Sequence, residues 1–190
     1  MGYFRLIDDI EIPRRRHLGE ISCGPRRLVN FLDGVPVDIG EVPSVEVTHF
    51  GRPLEFCLTG FGVPVETTAL CAVVSPIADG DVEVVPVEVA GQAGFAVLNC
   101  VKLVSCIDEA RSEFTKWTST DYRADLAGQY RSVTRLVLNG HKVPPHANLF
   151  RVEGWQVALI ASEHLKDAMS KHGCFGAKFV PLPTSQGLRP

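Results

Sequence analysis

The hydrophobic pattern of the chain centres on residues 82–108, VEVVPVEVAGQAGFAVLNCVKLVSCID. Two apolar runs, 82–90 and 95–107, flank the connection Gly91-Gln92-Ala93-Gly94. β-Branched residues dominate both runs, and the glycines between them signal a hairpin. In the first run Val82, Val84, Pro86 and Glu88 share one face, and Glu83, Val85, Val87 and Val89 the other. In the second, Val97, Asn99, Val101 and Leu103 alternate with Ala96, Leu98, Cys100 and Lys102, and the alternation continues to Ile107. Neither face is cleanly polar, so the pair needs cover on both sides. The pattern therefore predicts a long hairpin inside a sheet.

Shorter patterns surround it. Residues 3–7, 45–47 and 55–58 read as strands, and residues 28–32 are apolar but too short to separate helix from strand. Gly24-Pro25 breaks the chain, and residues 34–43 are loop. Residues 67–75 predict a helix, capped by the hydroxyl of Thr67 or Thr68, with Leu70, Val73, Val74 and Ile77 at helical spacing. Pro76 ends it, and Asp79-Gly80 turns the chain into the hairpin. Residues 109–126 have no sustained period and predict irregular or briefly helical structure. Residues 131–138 read as a strand ended by Asn139-Gly140.

The last third is the most legible. Residues 149–152 and 155–161 are strands joined by the turn Glu153-Gly154. Ser162 then caps a helix whose stripe is Leu165, Ala168, Met169 and His172. Glu163 suits its positive end and Lys171 its negative end, and Gly173 supplies a left-handed stop. Residues 177–181 return as a strand, completing a β-β-α-β unit. The fold class expected is α+β, with a mainly antiparallel sheet built on the central hairpin and a few helices. Residues 1–182 are expected to form one domain and 183–190 a flexible tail.

Composition removes several function classes. A chain of 190 residues, 45% hydrophobic and 22% charged, is large enough for a core without disulfides or metal. The net charge of −3 argues against a nucleic-acid scaffold. Asp8, Asp9 and Glu11 precede Arg14, Arg15 and Arg16, which fits a solvated loop better than a phosphate site. No apolar run approaches the ~18 residues of a membrane span. The acidic start, MGYFRLIDD, lacks a signal-peptide core, so a cytoplasmic protein with reduced thiols is expected. The six cysteines form no CxxC pair and read as core residues. Cys100 and Cys106 fall on one strand face, but nothing demands a bond between them. Gly60-Phe61-Gly62 lacks the context of a dinucleotide fingerprint. His141 and His146 flank Pro144-Pro145 without the spacing of a metal site. No cofactor and no metal is expected.

Residues 149–182, LFRVEGWQVALIASEHLKDAMSKHGCFGAKFVPL, carry a resemblance. The motifs are Phe150-Arg151 in a strand, Ser162-Glu163 with Leu165 at a helix start, and Gly176 followed by Phe179 in a final strand. Upstream, Pro86-Val87, Leu98-Asn99 and Asp108 extend it. In order and spacing these resemble a bacterial polymorphic-toxin immunity family, the eleventh numbered one, formerly a domain of unknown function. The resemblance covers roughly residues 60–182 and implies binding rather than catalysis. Such a protein sits in the cytoplasm, neutralises a cognate toxin by occluding it, and needs no cofactor. Phe150 and Phe179 read as core. Residues 111–130 mix aromatics with arginines, as protein interfaces do. The expected toxin-binding residues are therefore Trp117, Tyr122, Arg123 and Tyr130, the bland alternative being that these aromatics roof the sheet. Other classes stay open: a hydrolase-like enzyme pairing Cys57 or Cys174 with a histidine distant in sequence, or a small-ligand binder. A basic cluster of residues 14–16 with Arg26-Arg27 would revive a nucleic-acid reading.

Overall fold

Among the described residues the apolar runs assemble into two large sheets, with two α-helices held between them and two small two-stranded pairings outside them. The computed structural model describes residues 2–24 and 29–185. In chain order the elements are β1 (Tyr3–Asp8), β2 (His17–Ser22), β3 (Ser44–His49), β4 (Phe56–Leu58), β5 (Pro64–Thr67), α1 (Thr68–Val74), β6 (Val82–Val89), β7 (Gln92–Cys100) and β8 (Leu103–Val104). There follow β9 (Glu113–Lys116), β10 (Tyr130–Arg135), β11 (Leu138–Asn139), β12 (Leu149–Val152), β13 (Trp155–Ser162), α2 (Glu163–His172), β14 (Ala177–Leu182) and β15 (Thr184–Ser185). One sheet has the order β2-β3-β6-β7-β5-β4 and the other β14-β1-β13-β12-β8. Most pairings are antiparallel, but β3–β6, β8–β12 and β11–β15 are parallel. The fold is α+β.

The central hairpin forms as β6 and β7, in the middle of the six-stranded sheet; β7 is buried on both faces from Ala96 to Cys100, but Val84, Pro86 and Glu88 leave one face of β6 exposed, where cover on both sides was expected. Two further details differ from expectation. The turn is Ala90-Gly91, with φ of 52° and 73°, so Gln92 to Gly94 belong to β7. A two-residue turn with both φ positive matches the twist of the strands it joins. The second strand also stops at Cys100. Val101 N–H donates to Asp81, and the chain crosses to the other sheet as β8, beside β12. Cys100 and Cys106 consequently lie in different core clusters rather than on one face. Five of the six cysteines are buried and Cys174 is half-buried.

Three apolar clusters cover the sheet faces. Between the sheets, Leu6, Phe56, Leu98, Leu149 and Leu159 meet Leu70 and Val74 of α1 and Leu165 and Met169 of α2. Outside the five-stranded sheet, Tyr3, Phe150, Val152 and Ile160 are roofed by Leu136, Leu138 and Val143. Outside the six-stranded sheet, Leu18, Val45, Val87 and Val97 are covered by Phe31. The helices begin where hydroxyls satisfy free N–H groups: Thr67 accepts from Leu70 N at 3.3 Å and Ser162 from Leu165 N at 3.2 Å. Gly173, at φ 82°, ends α2.

β14 does not lie beside β13; β1 is inserted between them. The N-terminal strand thus completes the sheet that the last third of the chain begins. Arg151 adds a second tie. It is fully buried, and its guanidinium donates to Gln156 O at 2.7 Å and Gly62 O at 3.0 Å, joining the β12–β13 hairpin to the β4–β5 connection. Residues 183–185, expected within the tail, are tied to the body: Leu138 N–H donates to Pro183 O, and β15 pairs with β11. Residues 29–32 are neither helix nor strand. Residues 25–28 and 186–190, with the Pro25 break, Arg26-Arg27, Leu28 and the rest of the expected tail, lie outside the described residues.

Candidate functional site

β9 and β10 join as a two-stranded ribbon; within residues 109–126 only β9 departs from the irregular or briefly helical chain expected, and Ala124–Leu126 is a short 3-10 helix. β9 and β10 are antiparallel, with Lys116 opposite Tyr130 and Phe114 opposite Val133. In β9 the alternation sets Glu113 and Thr115 outward and half-buries Phe114 and Lys116. Four residues are too few for a period to register in the sequence. The ribbon's base is fixed by aromatic and charged groups. The Phe114 and Tyr130 rings meet edge to face at 5.1 Å, and the Lys116 ammonium lies 4.8 Å from the Tyr130 centroid. Lys116 pairs with Glu109 at 2.6 Å, and the Tyr130 hydroxyl donates to the same carboxylate at 2.5 Å. These two donors hold Glu109 below the usual carboxylate range. Partial burial and the Glu109 charge push the Tyr130 phenol up.

The ribbon's tip carries the more exposed aromatics. Trp117 and Tyr122 meet edge to face at 5.4 Å, and the Arg131 guanidinium stacks on the Trp117 ring at 4.8 Å. Arg131 also reaches Asp121 at 3.5 Å, whose other oxygen accepts from Thr118 N and Oγ1. Tyr122 is 84% exposed. Arg123 forks onto Asp125, its Nη2 at 2.7 Å.

Between this ribbon and the body runs an open groove of about 510 Å³. Trp117, Leu126, Tyr130 and Arg131 form one wall, Trp155 and Val157 another, and Leu32 and Asp33 close the end. Tyr130 N–H donates to Gly154 O at 3.2 Å, which fixes the ribbon over the β12–β13 turn. The Arg5 guanidinium lies 5.0 Å from the Trp155 ring, and Val157 is 49% exposed. Beyond Leu32 a second hollow of about 360 Å³ begins, lined by Ile21, Phe31, Phe61 and Val63; Asn30 and Leu32 line both.

Of the four expected binding residues, Trp117 and Tyr130 line the groove. Tyr122 does not line it but stacks on Trp117. Arg123 is turned away onto Asp125. Leu32, Trp155 and Val157 were not expected. The turn Glu153-Gly154 was legible, yet nothing local in the sequence brings it to the ribbon.

The nucleophilic alternatives find no partner. Cys57 Sγ donates to backbone carbonyls of Arg16 and Leu58, and burial pushes its thiol up to about 11. Burial and the nearby Glu66 and Glu55 push Cys174 up to about 12. Among the described residues neither sulfur is hydrogen-bonded to a histidine, the partner that would activate a thiolate. Among the described residues, no group of three or more His, Cys, Asp or Glu is placed to hold a metal ion. The arginine run 14–16 disperses: Arg15 pairs with Asp8 at 2.6 Å, and Arg16 is buried against the Phe95 ring. No helix among the described residues is long and apolar enough to cross a membrane.

No curated protein matches the chain. The family model of the Immunity protein family (Imm11) matches residues 83–184, from β6 through the start of β15. Both walls of the groove and the whole ribbon fall inside that match, with only Leu32 and its neighbours outside. The match spans more than half of the 190 residues, and the chain therefore belongs to the Immunity protein family (Imm11).

Proposed function

We propose that this protein neutralises a cognate bacterial toxin of a polymorphic toxin system by binding it in the cytoplasm and covering its working surface, without catalysis. Membership in an immunity family supports the toxin-directed role. The observation that carries the choice of surface is an open groove with Trp117 of the ribbon on one wall and Trp155 of β13 on the other, and with Tyr122 stacked on Trp117. Buried aromatics and arginines supply most of the free energy in protein interfaces, and here they are already ordered by stacking and ion pairs. Trp117 and Tyr122 act as anchors in this reading. Tyr130 lines the wall beside Trp117, and Arg123 with Asp125 forms a polar rim.

The test is to co-express the chain with the product of the neighbouring coding region and purify the pair. Trp117→Ala with Tyr122→Ala should release the partner while the chain stays folded. Retention of the partner at wild-type affinity would remove the groove from the interface.

A further inference from the structure

Glu66 lies in β5, fully buried, with no hydrogen-bond partner for either carboxyl oxygen among the described residues. It is opposite Phe56 of β4 and Ala96 of β7, and Phe56 belongs to the helix-filled core between the sheets. The titratable groups that face it are few. The Cys71 thiol of α1 approaches without meeting hydrogen-bond geometry, so the carboxyl counts as unsatisfied. Cys174, just past α2, feels its charge, and Glu55 acts on the same thiol. His172, the last residue of α2, is held by Glu55 at 3.5 Å. Among the described residues, neither Lys nor Arg forms an ion pair with Glu66. Desolvation by complete burial opposes its ionisation, and the approach of the Cys71 thiol offsets that only in part.

We infer that Glu66 is a proton-loaded latch, held as the neutral acid between the sheet, α1 and the Cys174 turn, so that alkalinisation weakens the packing of the helix face. Burial places its titration at about 8. In the unfolded chain a glutamate titrates near ~4.3. Below that value both states are protonated and the group is neutral in effect. From about 4.3 to about 8 the unfolded chain gives up a proton that the folded chain keeps, so the folding constant falls about tenfold per pH unit. Above 8 the loss levels off. A surface carboxylate with a salt-bridge partner has the opposite slope.

The experiment compares urea unfolding of the reduced wild-type protein and Glu66→Gln at pH 5, 6 and 7. The amide mimics the neutral acid and does not titrate, and every other group, His172 and Glu55 included, is common to both proteins. The wild-type folding constant should fall about 100-fold more than the variant's between pH 5 and 7. Parallel pH profiles would overturn the inference. Should the variant fail to fold, infrared spectra of wild-type protein with isotope-labelled glutamate carboxyls decide. A protonated-carboxyl band that survives at pH 7 and fades above pH 8 supports the latch, and no such band at pH 7 overturns it.

Discussion

Replacing Leu165 by Ala tests how the helices are held. Leu165 has no exposed surface and belongs to the cluster between the sheets. Leu-to-Ala changes in cores cost about 2–5 kcal/mol, and the value depends on how far the walls collapse into the space left. Here the other members include Leu149 and Leu159 on paired strands and Leu70 and Val74 on α1, all within 1% of complete burial. Strands fixed by ladders on both sides cannot move inward without breaking hydrogen bonds, so the cost should fall in the upper half, about 4 kcal/mol. With a urea slope of about 3 kcal/mol/M, the unfolding midpoint should drop by roughly 1.3 M. Circular dichroism at the helix band, followed through a urea titration, reads this directly. A drop below about 0.3 M, or under ~1 kcal/mol, would mean that α2 does not plug this core.

Three further outcomes follow from single features. Gly176→Ala should destabilise strongly, because φ is +116° and the new Cβ would sit 2.2 Å from the Phe56 carbonyl oxygen; a melting temperature equal to wild type would contradict that contact. Thr67→Ala removes the cap of α1 and should cost about 1 kcal/mol by urea titration, whereas Thr67→Ser should cost much less. A fragment of residues 83–184 should not fold alone, since it lacks β1 and leaves β13 and β14 without the strand that joins them; a dispersed amide NMR spectrum of that fragment would refute the dependence.

The parts of the fold that sequence revealed are those decided locally. Ser162, Gly173 and the stripe of α2 carry their own start, stop and buried face, and Thr67 does the same for α1. The central hairpin was legible from β-branched alternation, but its end was not. The apolar pattern runs on past Cys100 because β8 is also half-buried, in a different sheet. β2 and β5 went unread, one with Gly19 inside it and the other opening on Pro64. The insertion of β1 between β13 and β14 has no local signature at all. The candidate site divides the same way. Trp117 and Tyr122 were recognisable as aromatics among charges, while Trp155 and Leu32 join them only through the packing of the ribbon on the β12–β13 turn.

The family motifs acquire physical roles. Phe150 is core, and Arg151 is the buried tie to the Gly62 carbonyl. Ser162, Glu163 and Leu165 start α2 and seat it, and Gly176 permits close approach to the β4 backbone. Phe179 packs edge to face on Phe4 of β1 at 6.4 Å. These residues build the platform. The exposed aromatics of the ribbon are a separate set.

The most direct test of the proposed toxin-binding surface is a calorimetric titration of the purified partner with wild-type protein and with the Trp117→Ala, Tyr122→Ala double variant, each first shown by urea unfolding to be folded. Two aromatic anchors at about 1.4 kcal/mol or more apiece predict binding at least ~100-fold weaker in the variant. Affinities within about twofold of each other, with both proteins equally stable, would contradict the account.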